Sequence, residues 1–352
     1  MAPALCQRLL ALFGAVSLAH AKRNVTMFDA LDSISERTGP QYDEKLSLFF
    51  ALLAQVAFCD PENIERWDCG EPCEKTGFKP RRVQVLHPGP LLAVQGFVAL
   101  VPEELTLLPQ TGRTRCIVSF RGSNNMKNWM ADAMAWLSEY HGAEERAWCL
   151  GCKVHEGFET AYSELRTHLW GAVLGPFQCK EVYVTGHSLG AAVATMAVSD
   201  LRGSSEIREM GIKVPPAWLF GAPAVGEAKF VETLMKNTLP EEAPGAWRLV
   251  NEYDIVPRLG RPVYHHYGPE IFINEEDLSY TYCPKPNDLR CMDSVGHVSL
   301  LWNQKASNHV SYMNVNFASK HLPGECRSAN AAPEPQTDSY SEEDLIFSDT
   351  PR

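Results

Sequence analysis

The sequence predicts an α/β fold: a central, mostly parallel sheet covered by helices. Three observations lead there. Short apolar runs alternate with segments whose apolar residues recur at helical spacing, the pattern of strand–helix–strand units. The composition, 45% hydrophobic and 21% charged, is ordinary for a globular chain and excludes collagen-like, coiled-coil and wholly disordered ones. A length of 352 residues holds one large α/β domain, or two small ones, with a sizeable core.

From about Ala30 to Phe58 the spacing is helical, with Leu46, Phe49, Phe50, Leu53 and Val56 on one face. Asp60 to Lys79, rich in Gly, Pro and Cys, reads as a stapled loop. Strands are expected at Val83–Leu86, Leu92–Val101 and Cys116–Phe120. A helix over Glu156–Leu174 carries the apolar stripe Phe158, Ala161, Leu165 and Leu169. Then follow strand Val182–Val184, helix Leu189–Leu201, strand Ala217–Phe220, helix Lys229–Met235 and strand Trp247–Val250. No internal repeat is visible.

The two ends read differently from this middle. Residues 1–21 have the form of a signal peptide: Arg8, an uncharged run Leu9–Leu18, and the small-residue site Ala19-His20-Ala21. That run is too short for a membrane span, which needs about 20 residues. Residues 22–326 form the expected domain, and 327–352, with six acids and three prolines, read as a disordered acidic tail. The formal net charge of −11 argues against unspecific nucleic-acid binding. Loss of Cys6 with the signal leaves ten cysteines, an even number that suits disulfides in a secreted chain. Cys149-Leu-Gly-Cys152 also has the spacing of a metal half-site or redox pair, with Cys69 and Cys73 as its only partner pair; an oxidising compartment favours local disulfides. Asn24 is the one glycosylation sequon.

Gly186-His187-Ser188-Leu189-Gly190 carries the chemistry. Val182-Tyr183-Val184 enters it as a strand and Ala191–Ala194 leaves it as a helix, the context of a nucleophile elbow. The turn is tight enough that side chains two before and two after the serine would clash, so glycine stands at both. The helix start offers backbone N–H groups, that of Leu189 first, to an oxyanion. A serine nucleophile needs a base and a group that orients it. Asp254 stands out beyond strand Trp247–Val250, with Glu252 as its rival. The base is one of His265, His266, His297, His309 and His321; position favours His297 or His309, and spacing does not choose between them. The run into Arg121-Gly122-Ser123 points to the Ser123 N–H, over a close approach at Gly122, as the second oxyanion donor.

These motifs resemble the fungal-type, or class 3, triacylglycerol lipases, a branch of the α/β-hydrolases. The likeness runs from about Ala51 to Cys326, in the family's order: Phe120-Arg-Gly-Ser123, Asn128-Trp129-Met-Ala-Asp132, His155-Glu-Gly-Phe158, Thr185–Gly190, Phe220-Gly-Ala-Pro223, Val225-Gly226 and Asn251–Pro257. The resemblance implies Ser188 as nucleophile, Asp254 as orienter, and Ser123 with Leu189 as oxyanion donors. It chooses His309 as base, because the family's histidine is followed three residues later by an aromatic, here Tyr312. Many relatives carry Asp before this histidine, whereas Asn308 stands here.

The resemblance also pairs Cys59 with Cys326, Cys69 with Cys73, Cys149 with Cys152, and Cys283 with Cys291. Cys116 and Cys179 are left as a fifth bridge or two buried thiols. Residues 124–136 align with the family's lid, with Asn124, Trp129, Met130 and Asp132 among its residues and an apolar stripe suited to a mobile cover. The expectation is a secreted, monomeric serine hydrolase of carboxylic esters that needs no cofactor or metal and acts on lipid at a lipid–water interface. The alternatives are a phospholipase A1, galactolipase or feruloyl-type esterase with the same triad, and a non-catalytic lipid-binding protein on the same fold.

Overall fold

The computed structural model describes residues 42–87, 94–122, 137–140, 148–238, 245–286, 288–303, 305–317 and 326. The signal segment, Asn24, the tail, Ser123 and the lid with Asn124, Trp129, Met130 and Asp132 lie outside them, as do the first residues of the helix expected from Ala30.

Asp43 starts helix α1 (Glu44–Val56), its carboxylate accepting the Leu46 N–H at 3.0 Å. The segment read as a stapled loop contains two short helices, α2 (Pro61–Arg66) and α3 (Glu71–Lys75). The prolines that suggested a loop stand in the first turn of each, where a missing N–H costs nothing. Along the chain follow β1 (Arg82–Leu86), β2 (Gly96–Leu100), β3 (Arg115–Phe120), β4 (Leu137–Glu139), β5 (Lys153–His155), α4 (Glu156–Leu174), β6 (Glu181–His187), α5 (Leu189–Gly203) and α6 (Ser205–Glu209). Next come β7 (Ala217–Phe220), α7 (Ala228–Thr238), β8 (Ala246–Asn251), β9 (Glu270–Ile273), β10 (Tyr280–Cys283), α8 (His297–Asn303), α9 (Ala306–Val310) and the small hairpin β11 (Ser311–Tyr312) with β12 (Val315–Asn316).

Eight strands form the main sheet, in the order β1-β2-β3-β6-β7-β8-β9-β10. Strands β3, β6, β7, β8 and β9 run parallel, with Val118 opposite Val184 and Phe120 opposite Gly186. Antiparallel pairs close the edges, β1 and β2 on one side and β10 on the other. Period-two alternation decides what each face meets. In β6, Val182 and Val184 enter the core built with α4 and α5. Tyr183 and Thr185 face the other way, onto α1. There Phe50 stacks on Tyr183 and Trp218 with centroids 5.9 and 5.5 Å away, and the Thr185 hydroxyl donates to the Phe50 and Trp218 carbonyls.

Every residue of α5 is buried. Its Asp200 carboxylate accepts from Tyr162, Arg166 and Trp170 of α4 at 2.6, 2.9 and 2.9 Å, which locks the two helices together. Strands β9 and β10 extend the sheet beyond the last strand evident in the sequence. Glu270 in β9 is buried and stands opposite Arg248 of β8, to which it is paired at 3.0 Å. A buried charge is tolerated only with such a partner, and that partner is 22 residues away, outside any local pattern.

Five disulfides staple the described chain: Cys59–Cys326, Cys69–Cys73, Cys116–Cys179, Cys149–Cys152 and Cys283–Cys291. Cys116 and Cys179 flank the start of the β3–β6 pairing, with Cα atoms 5.7 Å apart, and are bridged rather than free.

Candidate active site

Ser188 sits between β6 and α5 with a φ of 58°, the left-handed conformation that a sharp strand-to-helix turn imposes. Its N–H donates to the Phe220 carbonyl at 2.9 Å, tying the turn to β7. The flanking glycines answer two different contacts. A Cβ on Gly186 would stand 2.4 Å from the Gly190 carbonyl oxygen, the clash expected across the turn. A Cβ on Gly190 would stand 2.2 Å from the Phe120 carbonyl oxygen, because the elbow also presses on the end of β3. At Gly122 a Cβ would come within 3.2 Å of the Ser188 Cβ, so backbone beyond β3 passes close to the serine.

The Ser188 hydroxyl lies 2.7 Å from His309 Nε2. On the other side of that ring, Nδ1 is 3.0 and 2.8 Å from the two carboxylate oxygens of Asp254. Serine, histidine and aspartate are 4%, 3% and 1% exposed, so water screens these contacts little. Asp254 Oδ1 accepts the Val256 N–H at 2.9 Å, and Oδ2 accepts the Tyr312 hydroxyl. Burial, and next the charge of Asp254, push the Tyr312 hydroxyl well above the usual tyrosine range, so it remains a protonated donor. Chemically, the line Ser188–His309–Asp254 can carry a proton from a serine hydroxyl to an imidazole steadied by a carboxylate.

Long-range contacts hold the two loops. Arg258 donates to the carbonyls of Asp254, Glu252 and Met292, the last two at 2.9 and 3.0 Å. Asn251 Nδ2 donates to the Asn308 carbonyl at 2.8 Å and to that of Ser311. The Asn308 side chain accepts the Lys305 N–H at 2.6 Å at the start of α9, a bond that needs an acceptor oxygen and no charge. Gly221, at φ 57°, passes under the pair: a Cβ there would lie 3.0 Å from Asp254 Oδ2 and 3.1 Å from the His309 ring. It stands in Phe220-Gly-Ala-Pro223, which marked its place in the sequence without revealing its task.

The remaining candidates go elsewhere. The Glu252 carboxylate accepts the Glu275 N–H at 3.3 Å. His266 is buried, with Nε2 2.7 Å from the Pro257 carbonyl; burial, then Arg248, hold its ring well below the usual histidine range. His265 lies at an antiparallel bridge to Gly226, His297 heads α8, and His321 is outside the described residues. Leu189 is the first residue of α5, where the opening N–H groups have no partner within the helix. Among the described residues no group of three or more His, Cys, Asp or Glu could hold a metal ion, and no helix is long and apolar enough to cross a membrane.

A serine raised on a strand–helix elbow at the carboxyl edge of a mostly parallel sheet, with the aspartate arriving from a later loop and the histidine from a short helix beyond it, defines an α/β-hydrolase. Residues 117–263 match the model of the class 3 lipase family. A lipase of Rhizomucor miehei is 32% identical over 206 residues, 56% of this chain and 52% of that protein. The secreted mono- and diacylglycerol lipase 1 of Fusarium solani is 29% identical over 191 residues, 53% of this chain and 51% of that one. The solved structure of Rhizomucor miehei triacylglyceride lipase shares the fold with a TM-score of 0.62 at 24% identity, covering 80% of this chain and 98% of that chain. The chain spans about half the length of the curated relatives it matches.

Proposed function

We propose that this chain is a secreted serine hydrolase of carboxylic esters, a triacylglycerol lipase, with Ser188 as nucleophile, His309 as base and Asp254 as orienter. The observation that carries this is the His309 ring, 2.7 Å from the Ser188 hydroxyl on one side and 2.8 Å from Asp254 on the other. Ser188 Oγ attacks the ester carbonyl while His309 Nε2 takes its proton. The oxyanion of the tetrahedral intermediate accepts from the Leu189 N–H and from that of Ser123. Its collapse returns the proton to the departing alcohol and leaves an acyl group on Ser188, which water, activated by the same histidine, then removes. Asp254 keeps Nδ1 protonated and stabilises the transient imidazolium.

The names of the relatives support glyceride esters as substrates, and the Fusarium protein's name favours mono- and diacylglycerols as a second reading. Secretion through the signal 1–21 accords with the word "secreted" in that name and with five disulfides. The monomeric state and the lid over 124–136 belong to the same proposal.

Ser188→Ala is expected to fold normally, to lose labelling by a fluorophosphonate, and to lose roughly 10⁴- to 10⁶-fold in kcat. Retained labelling would refute the nucleophile. A panel from tributyrin and long-chain glycerides to phospholipid, galactolipid and methyl ferulate then sorts the substrate class. If the lid reading holds, activity on a short-chain triacylglycerol rises as it passes its solubility limit. Trp129→Ala blunts that rise while sparing a soluble nitrophenyl ester. A plain saturation curve would instead indicate a lidless esterase.

A further inference from the structure

His187 precedes Ser188 in the elbow, and the reaction outlined above leaves it without a task. We infer that His187 is a positioning residue: its Nε2–H holds the main-chain carbonyl of His309, and so sets where the His309 ring stands relative to Ser188 Oγ. The inference rests on the hydrolase reading for its kinetic readout, but its geometry stands apart from that reading.

The contact joins positions 122 residues apart, with His187 Nε2 at 2.7 Å from the His309 carbonyl oxygen. A carbonyl only accepts, so Nε2 carries the hydrogen and Nδ1 is bare. Nδ1 is indeed buried without a hydrogen-bond partner among the described residues, so this one bond decides the tautomer. The ring plane is set independently. Phe317 stacks on it with centroids 4.1 Å apart and planes 8° from parallel, while Phe58 and Tyr312 flank it at 6.0 Å. The ring of His309 itself lies 4.8 Å away.

One side chain therefore spans from the backbone beside the serine to the backbone of the base. Its length and plane are rigid, and both its ends belong to the reacting line. The serine–histidine separation otherwise depends on how the β6–α5 elbow and the distant short helix α9 pack, and proton transfer depends steeply on that separation.

The chemistry of the side chain suits this task. Burial, then the neighbouring His309, hold the His187 imidazole well below the usual histidine range. It therefore donates while neutral. A lysine or arginine here would place a fixed cation beside a ring that must become imidazolium when it takes the serine proton. A neutral donor restrains the His309 backbone without opposing that charge.

The test compares His187→Phe, which keeps a stacked ring and loses the donor, with His187→Gln, whose Nε2 can reach the same carbonyl. On a soluble nitrophenyl ester His187→Phe is expected to lose roughly ten- to a hundredfold in kcat with KM little changed. His187→Gln should recover most of that loss. Equal impairment of both variants, or wild-type kcat in the Phe variant, overturns the proposal. So does a kcat loss that only follows a matching fall in melting temperature. A wild type that turns over no ester contradicts the hydrolase reading instead. Nitrogen-15 NMR of histidine-labelled wild-type protein provides a check that needs no variant. His187 should show the Nε2–H tautomer at pH 8; an Nδ1–H tautomer removes the hydrogen bond and the proposal with it.

Discussion

Ser188 is held by its neighbours in sequence and by the sheet beneath it: a strand, a left-handed turn, two glycines and a fully buried helix all lie between Glu181 and Gly203. Asp254 and His309 are 55 residues apart and are held by side chains that reach between loops, namely Asn251, Arg258, Tyr312 and His187. The C-terminal segment that follows His309 is moored to α1 by Gln55, whose Nε2 donates to the Asn316 carbonyl at 2.8 Å, and to the turn after α1 by the Cys59–Cys326 bridge. Steric exclusion thus places the serine, whereas individual hydrogen bonds place its partners. The first kind of restraint fails abruptly when space is filled. The second weakens one bond at a time.

Filling the elbow should have the largest effect. Gly190→Ala puts a Cβ against the Phe120 carbonyl, which cannot give way without moving β3. We expect a loss of about 4–5 kcal/mol in denaturant unfolding, or failure to fold. A variant within about 1 kcal/mol of the parent would show that the elbow is not sterically determined. Cutting the longest mooring comes next. Cys59–Cys326 spans 267 residues and Cys149–Cys152 only 3. Cys326→Ser should therefore cost about 5 kcal/mol, and Cys152→Ser far less. Equal melting temperatures for the two variants would contradict this ranking.

Acid should weaken the molecule through His187 and His266, each held well below the usual histidine range by burial. Below the unfolded pKa of about 6.5 the unfolded chain binds the protons that the folded chain refuses. Stability therefore falls with falling pH, by about 1.4 kcal/mol per pH unit for each histidine until the folded pKa is reached. His266→Asn should make the unfolding free energy fall less steeply as pH drops below about 6.5, and an unchanged slope would refute the assignment. The smallest effect belongs to one hydroxyl, which donates to Asp254 and accepts the Asn251 N–H at 3.3 Å. Tyr312→Phe removes the hydroxyl that donates to Asp254 and keeps the ring, so kcat should fall roughly tenfold with little change in melting temperature. No loss would mean that the Val256 N–H and His309 suffice to hold the carboxylate.

The contrast between the two regions is also the contrast in what could be read in advance. The apolar runs, their helical or alternating periods, and the glycines two before and two after Ser188 act over a few neighbouring residues, and each is visible within a short window of sequence. The parallel sheet and the strand–turn–helix at Ser188 follow from them. Other features did not lie within such a window. Helices α2 and α3 hid behind prolines that serve as helix starts. Strand β9 hid behind Glu270, whose burial makes sense only beside Arg248. The sequence alone does not decide whether Cys116 and Cys179 are bridged, because their separation depends on the pairing of β3 with β6.

The histidine shows the limit most clearly. Residue spacing left His297 and His309 equivalent, and family likeness named His309 through an aromatic three positions on. The folded chain supplies the reason for that aromatic: Tyr312 donates to Asp254, and Gly221 clears room for the pair. Short-range sterics and periodicity are properties of adjacent residues and survive in a linear string. Which of several identical side chains meets a carboxylate 55 residues away depends on loops whose conformation is decided jointly by the packed core, and no local stretch encodes it.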